Sequence, residues 1–271
     1  PWYLYVAPSA PHEPFAPVAR YANAPVPEWD PPPSVGEQDK SDKPPALRNM
    51  NADEEGGRGI RQAQLRTLMA VDEMLGEIME TLGELRERRR TLIIFVGDNG
   101  YFWAEHGLTD KRLPYTESIQ VPLFARWPGR LAPGSSDPRQ VSLVDLAPTV
   151  LAATGTLPNP NAPQDGRSLL DAWTREDVYT EYFPDSAAGG IGPWASIRTR
   201  DLQYVEYYGA DRITVDFDEY YDLEDDPYQL RNLLGDNSPA NDPPLTELQA
   251  LALKLAQYRS CSGTSGGNPC P

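Results

Sequence analysis

A chain of 271 residues with 39% hydrophobic content can bury a sizeable core, in one large domain or in a large domain beside a small one. Its formal charge of −16, without a Lys/Arg-rich stretch to set against it, argues against a nucleic-acid partner held by phosphate neutralisation. No run approaches the eighteen or so apolar residues of a membrane span, and no basic, apolar, small-residue series resembles a signal peptide.

The chain opens on Pro1-Trp2-Tyr3-Leu4-Tyr5-Val6, which reads as a buried strand already under way, so its natural start is expected further upstream. From Pro25 to Pro45 proline and charge exclude regular helix or central strand, and the segment reads as a surface excursion. Between about Gly59 and Arg90, Leu65, Leu68, Val71, Leu75, Ile78, Leu82 and Leu85 recur at threes and fours, the signature of one apolar helix face. The arginines Arg86, Arg88, Arg89 and Arg90 suit the C-terminal end of that helix, where the dipole favours cations.

Leu92 to Val96 is a short apolar run rich in branched residues, as expected of a strand buried on both faces, and a helix feeding such a strand suggests a parallel sheet. Val121 to Ala125 is a weaker strand candidate. Ser142 to Thr154 reads as a helix, with Ser142 as cap and Gly155 as stop. Val178–Phe183, Ala195–Arg198, Tyr204–Tyr208 and Tyr220–Leu223 then follow as short strands with turns between them, the pattern of an antiparallel sheet. A closing helix from Leu245 to Tyr258 places Leu248, Leu251 and Leu255 on one face. The fold class expected is α/β, a doubly wound mostly parallel sheet with a small C-terminal antiparallel α+β subdomain. The divisions fall at 1–174 for the α/β part, 175–260 for the subdomain and 261–271 for a tail. Cys261 and Cys270 flank a flexible stretch at the end, and either close a disulfide or stand as free thiols.

The chain has two histidines, each in or near a loop leaving a predicted strand, where side chains of several loops converge in open α/β sheets. His12 lies in a loop stiffened by Pro8, Pro11 and Pro14. Asp98 and Asn99 offer adjacent hard oxygens of the kind Ca²⁺ or Mg²⁺ takes, although Asp-Asn-Gly is also turn chemistry. A little further on, Lys111 and Arg112 are neighbouring cations in a strongly acidic chain, either a solvated pair or a means to neutralise charge on an anion.

Taken together these segments resemble the sulfatase family of the alkaline-phosphatase-like superfamily. Pro1–Pro8 through His12, Gly97-Asp98-Asn99-Gly100, Glu105-His106-Gly107 with Asp110-Lys111-Arg112 and Pro114-Tyr115, Val121-Pro122-Leu123, and Tyr221-Asp222-Leu223-Glu224-Asp225-Asp226-Pro227 stand in the family's usual order. They resemble most the N-acetylglucosamine-6-sulfatase-like and arylsulfatase-like branch. The resemblance implies a calcium-dependent hydrolysis of sulfate esters on a sulfated carbohydrate or aryl sulfate, by a secreted or periplasmic enzyme. It implies Asp98 and Asn99 as calcium ligands, His12 and Lys111 as catalytic groups, and His106 and Arg112 as substrate-binding groups.

Family members attack sulfur with a formylglycine made from a Cys-x-Pro-x-Arg-like motif. This sequence has no such motif, so the resemblance places it upstream and implies an inactive fragment. Ser9, Ala104 and Thr116 depart from residues common at those places, which bears on the substrate more than on the reaction. A phosphoesterase or phosphonate monoester hydrolase of the same superfamily is the alternative chemistry, and a non-catalytic binding module the alternative class.

Overall fold

The computed structural model describes residues 2–184, 191–264 and 268–271. Its longest element is helix α1, Glu54–Glu84. Asp53 starts it, its side chain accepting from the Gly56 N–H at 2.8 Å, and Glu54 and Glu55 complement the positive end of the dipole. The expected apolar face is half-buried, with Val71 and Leu82 fully so. The arginine run lies beyond the last turn, where Arg88 Nε donates to the Met79 carbonyl at 2.6 Å.

Strand β1, Ile93–Val96, pairs antiparallel with β4, Leu123–Arg126. Between them lie β2, Phe102–Trp103, and β3, Thr109–Asp110, a second antiparallel pair, and the single-turn helix α2, Thr116–Ile119. The parallel pairing suggested by helix-then-strand order is therefore not made within the described residues, because the short return after β1 brings β4 back alongside it in the opposite sense. Nor is β1 buried on both faces: Phe95 and Phe124 touch each other on an exposed side. Trp2–Val6, expected as a buried strand, pairs with no strand among the described residues, and its side chains stand in solvent. Burial of a strand requires neighbours on its edges and faces, and that segment has none among the described residues.

The helix expected after Ser142 forms as a 3₁₀ turn, Leu143–Asp145, running into α3, Leu146–Thr154. Ser142 and Asp145 cap each other reciprocally, and Gly155 ends the helix with φ 67°, a left-handed conformation that suits glycine.

Strands β5 (Val178–Tyr182), β6 (Trp194–Arg198), β7 (Leu202–Tyr208) and β8 (Val215–Asp222) form one antiparallel meander, as the sequence pattern predicts. Alternation along these strands divides their side chains between two cores. Ala195, Ile197, Tyr204, Tyr208 and Tyr220 face helix α4, Leu245–Ser260, whose Leu255 is fully buried against them with Leu248 and Leu251 alongside. Trp194, Val205, Tyr207 and Tyr221 face the other way, onto Leu47, Phe102, Leu108, Leu113 and Tyr115. The sheet is thus packed on the loops that carry the candidate site. Cys261 and Cys270 are joined as a disulfide. No helix among the described residues is long and apolar enough to cross a membrane.

The stretch from Pro25 to Pro45 departs from the surface excursion its composition suggests. Ser34, Asp42 and Lys43 are buried there, and so is the Glu37 side chain. Charges tolerate burial only when paired, and here they are: Lys43 Nζ lies 3.6 Å from Glu37 and 3.4 Å from Asp42, donates to the Leu230 carbonyl, and sits over the Tyr221 ring.

Candidate active site

Three of the loops singled out in the sequence meet around Tyr101. Phe15, three residues past His12, packs edge-on against the Tyr101 ring with centroids 5.9 Å apart. Tyr101 itself follows Asp98-Asn99-Gly100, the loop leaving β1. Across the β2–β3 pair, Phe102 faces Asp110, the residue before Lys111. Partial burial raises the Tyr101 hydroxyl above its ordinary pKa, and the carboxylates of Asp110 and then Glu13 add to the effect. The phenol therefore stays neutral between the arms.

The loop bearing Asp98 and Asn99 is held by its backbone. Gly97 N–H donates to the Pro122 carbonyl, Gly100 N–H to Ser118 and Tyr101 N–H to Glu117. Only glycine fits at position 100, since an added Cβ would lie 1.8 Å from the Glu117 oxygen. Asp98 is exposed, with Oδ1 accepting from the Asn99 N–H at 2.9 Å, and the Asn99 amide NH₂ is turned to the Gly100 carbonyl. Asp98 Oδ2 and Asn99 Oδ1 are thus left as adjacent hard oxygen donors. This set fits a calcium ion as part of a shell, since Ca²⁺ takes about six to eight oxygens. Among the described residues no group of three or more His, Cys, Asp or Glu is arranged to hold a metal.

His12 is exposed, its Nδ1 3.4 Å from the Glu13 carbonyl oxygen. Lys111 is half-buried and pairs with no carboxylate among the described residues, whereas Arg112 reaches back to Asp110 at 3.5 Å. His106 lies elsewhere. Expected to bind substrate, it is only 1% exposed, its Nδ1 2.8 Å from Glu37 Oε2 and its ring lying against Tyr115 at 4.5 Å. The imidazole is held within the fold by Glu37, 69 positions away in sequence.

The segment leaving Lys111 is gripped by the C-terminal sheet. Trp194 Nε1 donates to the Arg112 carbonyl at 2.8 Å, and the Gln203 amide donates to the Pro114 carbonyl. Gln229 accepts from both the Thr116 N–H and its hydroxyl, at 2.9 and 2.8 Å. Tyr115 donates its hydroxyl to Glu219 Oε1 at 2.9 Å, a carboxylate that also accepts from Tyr207 and Tyr221. Glu219 is completely buried, and desolvation raises its pKa against the opposing pull of Lys43 and the three hydroxyls. Neither Glu37 nor Glu219 carries a sequence signal of its own role; an acidic residue at an inward-facing strand position is the one clue to Glu219.

Two oxygen donors at the end of a strand, with Lys111 and His12 on other loops, make up the candidate site. The sulfatase family model matches residues 1–156, and that of the N-sulphoglucosamine sulphohydrolase C-terminal region matches 104–255: the chain belongs to the sulfatase family. It is 32% identical over 180 residues to an N-acetylglucosamine-6-O-sulfatase of Bacteroides thetaiotaomicron, across 63% of this chain and 31% of that protein. A solved structure in complex with its substrate D-glucosamine-2-N,6-O-disulfate matches with TM-score 0.64 and 28% identity, over 75% of this chain and 41% of that one. The phosphonate monoester hydrolase of Agrobacterium radiobacter matches with TM-score 0.61 and 26% identity, over 75% and 42%. The chain thus spans less than half the length of each of these proteins.

Proposed function

We propose that the whole protein hydrolyses a sulfate ester on a carbohydrate, in a secreted or periplasmic setting, and that this chain supplies part of its active centre. The observation that carries the reading is the meeting of the His12, Asp98–Asn99 and Lys111 loops at Tyr101. In this reading Lys111 holds its ammonium against the sulfate oxygens, where negative charge grows as the ester bond breaks. His12, on a proline-stiffened loop, hands a proton to the departing sugar oxygen. Asp98 and Asn99 would contribute two oxygens to a calcium ion, which would supply Lewis-acid stabilisation of the sulfate. Formylglycine, implied by the family, would supply the attacking oxygen from outside this chain. Arg112, whose guanidinium lies 3.5 Å from Asp110, binds the substrate's anionic group beside Lys111 in this reading. The disulfide supports an oxidising compartment.

The test is turnover in the whole protein. A His12→Ala or Lys111→Ala variant that folds but retains full activity on a sulfated amino sugar would remove the assigned roles. Similarity to a phosphonate monoester hydrolase keeps a second chemistry in play; faster turnover of an aryl phosphonate monoester than of the matching aryl sulfate would select it. Calcium titration of the 271-residue chain should give a Kd weaker than about 10⁻⁴ M, because two oxygens are a fraction of a calcium shell. Tighter binding would instead favour a self-sufficient binding module.

A further inference from the structure

Beside the candidate active centre a cleft of about 490 Å³ runs between the N-terminal part of α1 and the proline-rich segment facing it. Val26 to Trp29 form one wall, and Arg58, Arg61 and Gln62 the other. Both walls are tied in place: Arg61 Nη1 donates to the Pro27 carbonyl at 3.0 Å, and Arg58 Nη1 to the Trp29 carbonyl at 3.1 Å. Prolines 25, 27, 31, 32 and 33 stiffen the segment, so the cleft is formed before any ligand arrives.

The two arginines differ. Arg58 is neutralised by Glu54 one turn earlier, whereas Arg61 pairs with no carboxylate among the described residues and keeps most of its guanidinium N–H groups free. Glu28, also lining the cleft, is the one carboxylate that faces it, and its oxygens are acceptors without donors among the described residues. An arginine fork suits a sulfo group, a carboxylate accepts sugar hydroxyls, and a half-buried indole supplies an apolar wall.

Position connects this cleft to the centre already described. Arg61 lies over the Trp103 ring at 5.5 Å, and the Trp29 and Trp103 rings meet edge-to-face at 6.2 Å. Trp103 follows Tyr101 by two residues of extended chain, a separation of about 7 Å. Building on the sulfated-carbohydrate reading, we infer that this cleft is a subsite for a second, sulfated sugar unit, with Arg61 taking the sulfo group and Glu28 the ring hydroxyls.

Calorimetric titration of the 271-residue chain with a disaccharide of 6-O-sulfated N-acetylglucosamine, and with its unsulfated counterpart, tests this. The sulfated form should bind at least about tenfold more tightly, the equivalent of one charge-assisted contact. Arg61→Gln, which keeps a donor for Pro27, should abolish that preference with an unchanged circular dichroism spectrum. Arg61→Lys, which keeps the charge without the fork, should retain part of it. Trp29→Ala should weaken both sugars. Equal affinity for the two disaccharides, or a preference that survives Arg61→Gln, overturns the subsite. Lys111→Ala separates the two readings: a preference lost with Lys111 but not with Arg61 leaves the catalytic reading standing and removes the subsite. A preference lost with neither removes the subsite, while the catalytic reading stands or falls on turnover of the whole protein.

Discussion

The loops that carry His12, Asp98 and Lys111 and the sheet that supports them are built by opposite means. In the loop of Asp98 and Asn99 the backbone does the holding, through Gly97, Gly100 and Tyr101 N–H groups, while the candidate side chains His12, Asp98 and Lys111 remain largely without partners. In the sheet the side chains do it: Glu219 gathers three tyrosine hydroxyls, and Trp194, Gln203 and Gln229 fasten the segment from Arg112 to Thr116. A group that must meet a ligand has to stay unsatisfied in its absence, whereas a buried polar group cannot. Stability and chemistry are thereby assigned to different residues, and substitutions should separate them.

The largest effect should come from Glu219→Ala, which strands three buried hydroxyls and opens a cavity; a loss of about 4 kcal/mol in urea-unfolding free energy is expected. A loss under about 1 kcal/mol would break the contrast, showing that the sheet does not depend on this cluster. Next, Lys111→Ala should lower turnover of the whole protein at least about 100-fold, or roughly 2.7 kcal/mol in the barrier, while leaving unfolding free energy within about 0.5 kcal/mol. Gly100→Ala sharpens the point that backbone holds the loop. Its Cβ, 1.8 Å from the Glu117 oxygen, must displace α2, costing about 2 kcal/mol by thermal or chemical unfolding.

The smallest expected effect is a pH dependence. Glu219 has a folded-state pKa raised by burial, above its unfolded value near about 4.3. The folded state therefore holds the proton more tightly in the interval between the two values. This residue's contribution to stability is greatest below about 4.3 and falls as pH rises through the folded value. Subtracting the unfolding profile of Glu219→Gln from that of the wild type should reveal this decline. A difference that instead grows with pH would mean that the tyrosines and Lys43 outweigh desolvation.

Much of this was legible in the chain itself. The strands Val178–Tyr182 to Val215–Asp222 follow from β-branched and aromatic runs between turns, and the Ser142–Gly155 helix from its cap and stop residues. His12, Asp98, Asn99, Lys111 and Arg112 stood out only together, in the order of the family's motifs, since each alone reads equally as a surface histidine, a turn or a solvated cation. His106 shows the limit. Its loop position looks the same as that of His12, yet Glu37 and Tyr115 bury it.

The sequence alone determined the longer helices, the strands of the C-terminal meander and which residues could bear chemistry, because those depend on periodicity, caps and turns within a few positions. The tertiary structure alone decided which charges in the Pro25–Pro45 stretch are buried, that β1 and β4 run antiparallel, and that a glutamate at position 219 stands behind the tyrosine at 115. Those outcomes rest on partners 27 to 187 positions apart, from the Val96–Leu123 pair of the strands to Lys43 and Leu230, and no local pattern encodes which distant group will satisfy a buried charge or claim a strand edge.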